Sequence, residues 1–236
     1  SSKETGLVTN ANSMWLNNKP FKKDLETALK REVRLMNDAN CFTLSEAVDG
    51  AGKEYQSIFG IIVGTGFGGA LSYKKEIIEG ANQIAGDWGH QPLPYPTKEE
   101  IETKINCPSM NCGRPLCAEQ FMSGIGFKDV FNQKHNTNFS SEEIAQLDLD
   151  GDPRANLELS LYEDRMARLM AVMIGIFDPD AIILGGGMSN IDRLYKNIPV
   201  LIPKYTFSNK VITKVIKNFH GDSSGVRGAA WLWNNI

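Results

Sequence analysis

Asp38 stands where a carboxylate can act on an alcohol. It follows Val33-Arg34-Leu35-Met36-Asn37, read as the end of an extended run, and precedes Cys41 to Ala47, whose spacing is helical. A carboxylate at a strand-to-helix junction lies beside open helix-end amides and faces a crevice, which suits a general base. The same residues also suit a plain helix cap, with Asn37 or Asp38 as the capping side chain. Gly64-Thr65-Gly66-Phe67-Gly68-Gly69 is a glycine-rich turn between apolar runs. Such a turn can aim several backbone N–H groups at a phosphate, or it can be a bulged hairpin with nothing bound. No Gly-Lys-Ser/Thr follows, so it is not a Walker loop. Gly185-Gly186-Gly187 joins a short apolar strand to a helical stretch from Ser189, a suitable setting for a nucleotide. His90, Cys107, Cys112 and Cys117 offer one imidazole and three thiols, a set that satisfies tetrahedral zinc. Their spacing is looser than a paired Cys-x-x-Cys, and free buried thiols are the other reading.

The elements that must position these groups follow from periodicity. Residues 21–29 have helical character, and 31–36 read as the strand before Asp38. Residues 57–63 form a near-continuous apolar run, as in a strand buried on both faces, and Ala70 to Tyr73 form its partner. Residues 120–131 read as a helix interrupted at Gly124-Ile125-Gly126, and 132–153 as a polar connection. The carboxylates Asp148, Asp150 and Asp152 lack the EF-hand pattern and read as a solvated turn. Leu159, Tyr162, Met166, Leu169, Met173 and Phe177 recur at 3–4 spacing, predicting a long helix over 155–177 that Asp178-Pro179 stops. Strands are predicted at 181–184 and 211–215, and a closing helix at 226–233. His135 and His220 show no partner pattern.

Composition bounds the function. The 236 residues are 42% hydrophobic and 22% charged, an ordinary globular balance able to bury a large core. A net charge of −3 with scattered Lys and Arg gives no nucleic-acid footprint. No apolar run reaches membrane-spanning length, nothing at the start reads as a signal peptide, and four clustered-to-scattered cysteines suit a reducing compartment. The expectation is a cytoplasmic protein without membrane or nucleic-acid partners.

Taken in order, Asn37-Asp38-Ala39-Asn40, Gly64 to Gly69, Gly86-Asp87-Trp88-Gly89-His90, Cys112-Gly113 with Cys117-Ala118-Glu119, and Leu184 to Asn190 resemble the ROK family of sugar kinases and regulators. Asn10 to Asn17, Asp192 to Tyr195 and 220–233 are similar to its manno(fructo)kinase branch. The resemblance implies an α/β, actin-like ATPase (ribonuclease H-like) fold of two lobes. Residues 1–54, with a closing helix at about 226–236, would be the remainder of a small lobe, and 55–225 the large one. It implies Asp38 as a buried base that deprotonates a sugar 6-hydroxyl for attack on Mg-ATP, chemistry in which the protein mainly positions and stabilises charge. Asn12, Asn37, Asp87, His90 and Glu119 would hold the sugar hydroxyls. Gly64, Thr65, Gly66, Phe67, Gly68 and Gly69 would cradle phosphates, and Gly185, Gly186 and Gly187 would approach the adenosine. His90 with Cys107, Cys112 and Cys117 would hold a structural Zn²⁺ that shapes the sugar loop. The branch favours fructose as the hexose. The rivals are an N-acetylhexosamine kinase, a sugar-sensing transcriptional regulator and an inactive sugar-binding scaffold. Related kinases also imply a homodimer.

Four departures from the family pattern set further expectations. The family's Asp-x-Gly-Gly-Thr-Lys phosphate loop is absent, so this chain is expected to lack part of the small lobe and to turn over little by itself. Asp87 stands where Glu is usual, which draws the carboxylate back by about 1.5 Å. Met110-Asn111-Cys112 replaces a Cys-x-Cys pair, so Cys107 would have to loop in as the missing ligand. Leu116 replaces a glycine before Cys117, where a tight turn would need the positive φ that leucine resists.

Overall fold

The computed structural model describes residues 5–9, 13–103, 106–108, 112–208 and 210–233. Five strands make one sheet. β1 (Ser57–Val63) runs antiparallel to β2 (Phe67–Tyr73), which pairs antiparallel with the two-residue β3 (Glu76–Ile77). On the other side of β1 lies β4 (Ala181–Gly185), parallel to it, followed by the parallel β5 (Lys214–Lys217), giving the order β3-β2-β1-β4-β5. β1 and β4 occupy the middle of the sheet. Covered on both faces, they need apolar side chains at nearly every position, which is why both read as unbroken hydrophobic runs.

Each face has its own helices. α2 (Asp38–Val48) packs Phe42 and Ala47 against Ile58 of β1 and Ile183 of β4. α9 (Ser224–Trp231) lies against the outside of α2. The opposite face carries the larger core, in which α7 (Pro153–Phe177) supplies Leu159, Tyr162, Met166 and Met170. Pro153 starts α7 with a pre-set φ, Asp152 accepts from the Arg154 and Ala155 amides, and Asp178 ends it in the left-handed region at φ 49°.

The connection from β2 to β4 carries everything that differs from a minimal sheet. In order it holds the loop 78–97, α3 (Lys98–Glu102), the cysteine loop, α4 (Ala118–Met122), α5 (Gly124–His135), α6 (Ser141–Leu149) and α7. α3 is anchored by charge. Glu100 bonds Arg165 Nε and Arg168 Nη2 of α7, each at 2.7 Å, and all three side chains are buried. Arg168 also donates to the carbonyls of Pro94 and Tyr95, so the loop leading to the cysteines is fastened along α7.

The structure differs from the sequence reading in several places. Residues 31–36 form no strand; Val33 N–H donates to Glu26 Oε1 of α1 (Phe21–Leu29) rather than to a ladder. Apolar and β-branched residues make a strand only beside a sheet edge, and no described edge lies alongside these. The glycine turn is shorter than expected: Phe67, Gly68 and Gly69 pair with Val63, Ile62 and Ile61, leaving Gly64-Thr65-Gly66 as the turn. The helical break falls at Ser123, whose side chain caps α5, while Gly124 and Gly126 lie in that helix's first turn. Polar residues 141–149 form α6 instead of a loop, because Ser140 and Glu143 close a capping box. β5 sits about three residues later than read.

Candidate active site

The carboxyl ends of the parallel pair β1 and β4 lie side by side, with Ile62 opposite Gly185. β2 leaves β1 in the reverse sense here, so this is the point where strand connections diverge and a crevice opens. Gly186 takes φ 80°, and a Cβ on it would collide with the Val63 carbonyl. Only glycine lets the backbone after β4 pass this close to the end of β1. Gly187, Met188 and Asn190 then face α6 across a groove of about 340 Å³, whose other wall includes Ser141, Glu142 and Ala145. A groove of that volume takes a small ligand. Gly187 was expected here from the sequence; Ser141, Glu142, Ala145 and Met188 were not. The Ser140-x-x-Glu143 pattern was the signal that a helix wall would stand at this position.

The neighbouring turn faces the same end of the sheet. Gly64 N–H donates to the Gly66 carbonyl at 3.0 Å, and Phe67 N–H to Glu119 Oε2 at 3.2 Å. Glu119 is buried in the first turn of α4, and its Oε1 lies 3.6 Å from Cys107 Sγ. One carboxylate thus touches both the glycine turn and the cysteine cluster.

His90 is held on the loop 86–91 by close backbone packing. A Cβ on Gly89 would collide with the Phe67 carbonyl, while Gly89 O accepts from Glu119 N–H at 2.8 Å. Trp88 fixes the loop from below, its ring edge-on to Phe59 at 4.7 Å and tilted against Phe67 at 5.1 Å. Asp87, by contrast, is exposed on this loop.

The four proposed metal ligands converge. His90 Nδ1 lies 3.4 Å from Cys117 Sγ and 4.0 Å from Cys107 Sγ, and Cys117 Sγ is 3.3 Å from Cys107 Sγ and 3.5 Å from Cys112 Sγ. All four donor atoms fall within 4.8 Å of one another. Donors bound at zinc–sulfur and zinc–nitrogen lengths would be about 3.5–3.8 Å apart at the corners of a tetrahedron, so the set fits such an ion. Cys107 does loop in beside the others; Met110 and Asn111 lie outside the described residues. Burial, with Cys112 close by, pushes the Cys117 thiol up to about 11. Leu116 adopts φ 55°, the conformation a leucine resists, held by its carbonyl accepting from Leu93 N–H at 2.8 Å and by packing on the main core.

Asp38 is the principal correction. It is exposed, not buried, at the first position of α2. Asn37 is the cap: its Oδ1 accepts from Ala39 N–H at 2.9 Å and Asn40 N–H at 3.3 Å. Asp38 Oδ1 also meets the Ala39 amide at 2.9 Å. The segment before it joins no strand, and Asp38 itself stays exposed to water. Asp38 nonetheless belongs to the same end of the sheet. The next residue, Ala39, is buried with its Cβ 4.0 Å from where a Cβ on Gly68 would stand, two residues from the Gly66–Glu119 contact. Asn12 lies outside the described residues.

A sheet of order 3-2-1-4-5, antiparallel across β3-β2-β1 and parallel across β1-β4-β5, with a crevice at the carboxyl ends, defines an α/β protein with the actin-like ATPase fold. The chain belongs to the ROK family, whose model matches residues 1–236. It is 37% identical over 229 residues to an N-acetyl-D-glucosamine kinase of Vibrio cholerae serotype O1, covering 97% of this chain and 76% of that protein. A protein of the same name from Haemophilus influenzae is 37% identical over 232 residues, 98% of this chain and 76% of the relative. Among solved structures, a ROK glucokinase from Streptomyces griseus in complex with glucose and AMPPNP superposes with TM-score 0.82 at 23% identity, covering 98% of this chain and 77% of that one. Among the described residues no helix is long and apolar enough to cross a membrane.

Proposed function

We propose that this chain serves an ATP-dependent sugar kinase that phosphorylates the 6-hydroxyl of an N-acetylhexosamine, with N-acetyl-D-glucosamine as the first substrate to test. The observation that carries this is the 37% identity, spread over 97% of the chain, to a protein of that name. The manno(fructo)kinase resemblance pointed to fructose; the relatives favour the N-acetylated sugar instead.

In this reading Asp38 takes the proton from the 6-hydroxyl, and the open end of α2 adds its positive field to the charge that gathers there. Asn37 has its oxygen committed to the cap, which leaves its amide N–H₂ to donate to a sugar hydroxyl. His90 turns Nδ1 toward the thiols, leaving Nε2 for the sugar. Asp87 and Glu119 complete the hydroxyl contacts. The turn at Gly64 to Gly66 and the following Phe67, Gly68 and Gly69 take the phosphates, and Gly185 to Gly187 with the α6 groove take the adenosine. His90, Cys107, Cys112 and Cys117 hold a structural Zn²⁺, which when bound pins the sugar loop and does no chemistry. In place of the expected lobes 1–54 and 55–225, this reading puts the boundary before α2, because α2 packs on β1, β2 and β4 as well as on α9.

The protein is assayed by coupled ADP release against N-acetylglucosamine, glucose, mannose and fructose. The expected result is the highest kcat/KM with N-acetylglucosamine. Asp38→Asn is expected to lower kcat on the order of 10²–10⁴-fold while sugar binding stays within a few-fold. Undiminished turnover by Asp38→Asn sinks the assignment of the base, and a preference for fructose sinks that of the sugar.

A further inference from the structure

The α6 wall of the groove and the glycine turn after β1 are tied together by a short chain of hydrogen bonds. Ser141 is the first residue of α6, buried, and lines the groove. Its hydroxyl donates to the Gly124 carbonyl at 2.7 Å. Gly124 N–H donates in turn to the Gly64 carbonyl at 2.7 Å, and Gly64 N–H closes the turn onto Gly66 O at 3.0 Å. A Cβ on Gly124 would lie 3.1 Å from Gly64 O and 3.4 Å from Ser141 Oγ, so the Gly124 and Gly64 backbones and the Ser141 side chain meet more tightly than most side chains allow. Both bonds at the joint are short and lie between half-buried backbone groups, where losing a donor loosens the joint.

We infer that Ser141, through Gly124, is a positioning residue that fixes the distance between the base-binding wall and the phosphate-binding turn. This rests on the nucleotide reading of the preceding section and deepens it. A nucleotide spans two half-sites, and the second half binds with an effective concentration set by how well the gap matches the ligand. Although Ser141 lies in the groove wall, its hydroxyl is donated to the Gly124 carbonyl and not to the groove, so cutting the tie takes no donor from either half-site and spoils only their spacing. A role confined to holding α6 in place would weaken the base site itself.

The test is titration of the chain, followed by NMR and calorimetry, with three probes: adenosine, inorganic pyrophosphate and ADP. In Ser141→Ala the Kd for ADP is expected to rise about tenfold. Adenosine and pyrophosphate, each using one half-site, are expected to stay within about twofold. Ser141→Thr, which keeps the hydroxyl, is expected to bind ADP as the unaltered chain does. An unchanged ADP affinity in Ser141→Ala overturns the proposal, as does a parallel loss for adenosine. Failure of adenosine to perturb any α6 resonance in the unaltered chain overturns the nucleotide reading, and this proposal with it.

Discussion

Two buried glutamates show how single side chains hold the site's supports in place. Glu46 of α2 is fully buried and accepts from the Ala51, Phe219 and His220 amides and from Ser224 Oγ, joining α2 to the start of α9. Little in its sequence neighbourhood announces this, because three of the four donors, Phe219, His220 and Ser224, come from more than 170 positions away. Glu100 fastens the cysteine-bearing loop to α7. Burial would raise its pKa, but bonds from Arg168, Arg165 and the Thr97 amide outweigh that and hold the carboxyl below its ordinary value. A carboxylate depressed in the folded state contributes stability that is fully present above its unfolded value of about 4.3 and is lost as the pH falls through its folded value. Glu100→Gln removes that charge and leaves two buried guanidinium groups short of a partner. The variant is therefore expected to be less stable at pH 7 by about 3 kcal/mol, as for a broken buried pair. Because the native carboxylate is itself protonated in acid, the gap in Tm between the two proteins should narrow from pH 7 to pH 3. Circular-dichroism melts across that range decide it; a gap of constant width excludes Glu100 as the titrating anchor.

At the level of elements, legibility followed how local the determinants were. β1, β4 and α7 were readable since burial on both faces, or along one stripe, writes its period directly into the residues. α2 was readable from its spacing, and its capping alternative proved right for Asn37. The segment 31–36 misled, because strand propensity is a preference for a half-buried pleated surface and no such surface adjoins it. α6 was hidden by its polar composition, its position fixed by a capping box and by Ile144 alone among fully buried apolar side chains. The convergence of the cysteines was foreseen as a set, whereas the exposure of Asp38 depends on what surrounds α2 and could not be read locally. The loop 86–91 gives the sharpest element-level test. Gly89→Ala puts a methyl group into the Phe67 carbonyl, so the loop must lift from β2 and carry His90 and the Glu119 contact with it. N-acetylglucosamine affinity, measured by calorimetry, is expected to fall at least tenfold, as displacement near 1 Å is enough to do. Unaltered sugar affinity in a folded Gly89→Ala protein would remove this loop from the binding site.

For the molecule as a whole, the question is what keeps a long, irregular connection registered on the sheet. Between β3 and α4 the chain runs 40 residues, in which the five-residue α3 is the only regular element among the described residues. Holding its described residues in place loses considerable backbone entropy, and few apolar side chains among them are buried; Trp88 and Leu93 are the ones before Cys117. Three fastenings offset the loss. They are the glycine contacts on β2, the Glu100 pair on α7, and the meeting of His90 with Cys107, Cys112 and Cys117. The third closes the loop between positions 90 and 117 and, in the proposed reading, is the one that would depend on a metal. With a bound ion the four donors are satisfied and the clip is rigid; without one, three thiols crowd a half-buried site and gain little from one another. The chain purified without chelator is accordingly expected to carry close to one zinc per molecule by elemental analysis. Cys107→Ser should lower that stoichiometry and the affinity. Stripping the metal should lower Tm by several degrees and weaken N-acetylglucosamine binding together, since the same clip orients His90. Full zinc occupancy in Cys107→Ser would return Cys107 to the status of a neighbouring thiol, and a chelator-insensitive Tm would assign the registration of this loop to the glycine contacts and the Glu100 pair alone.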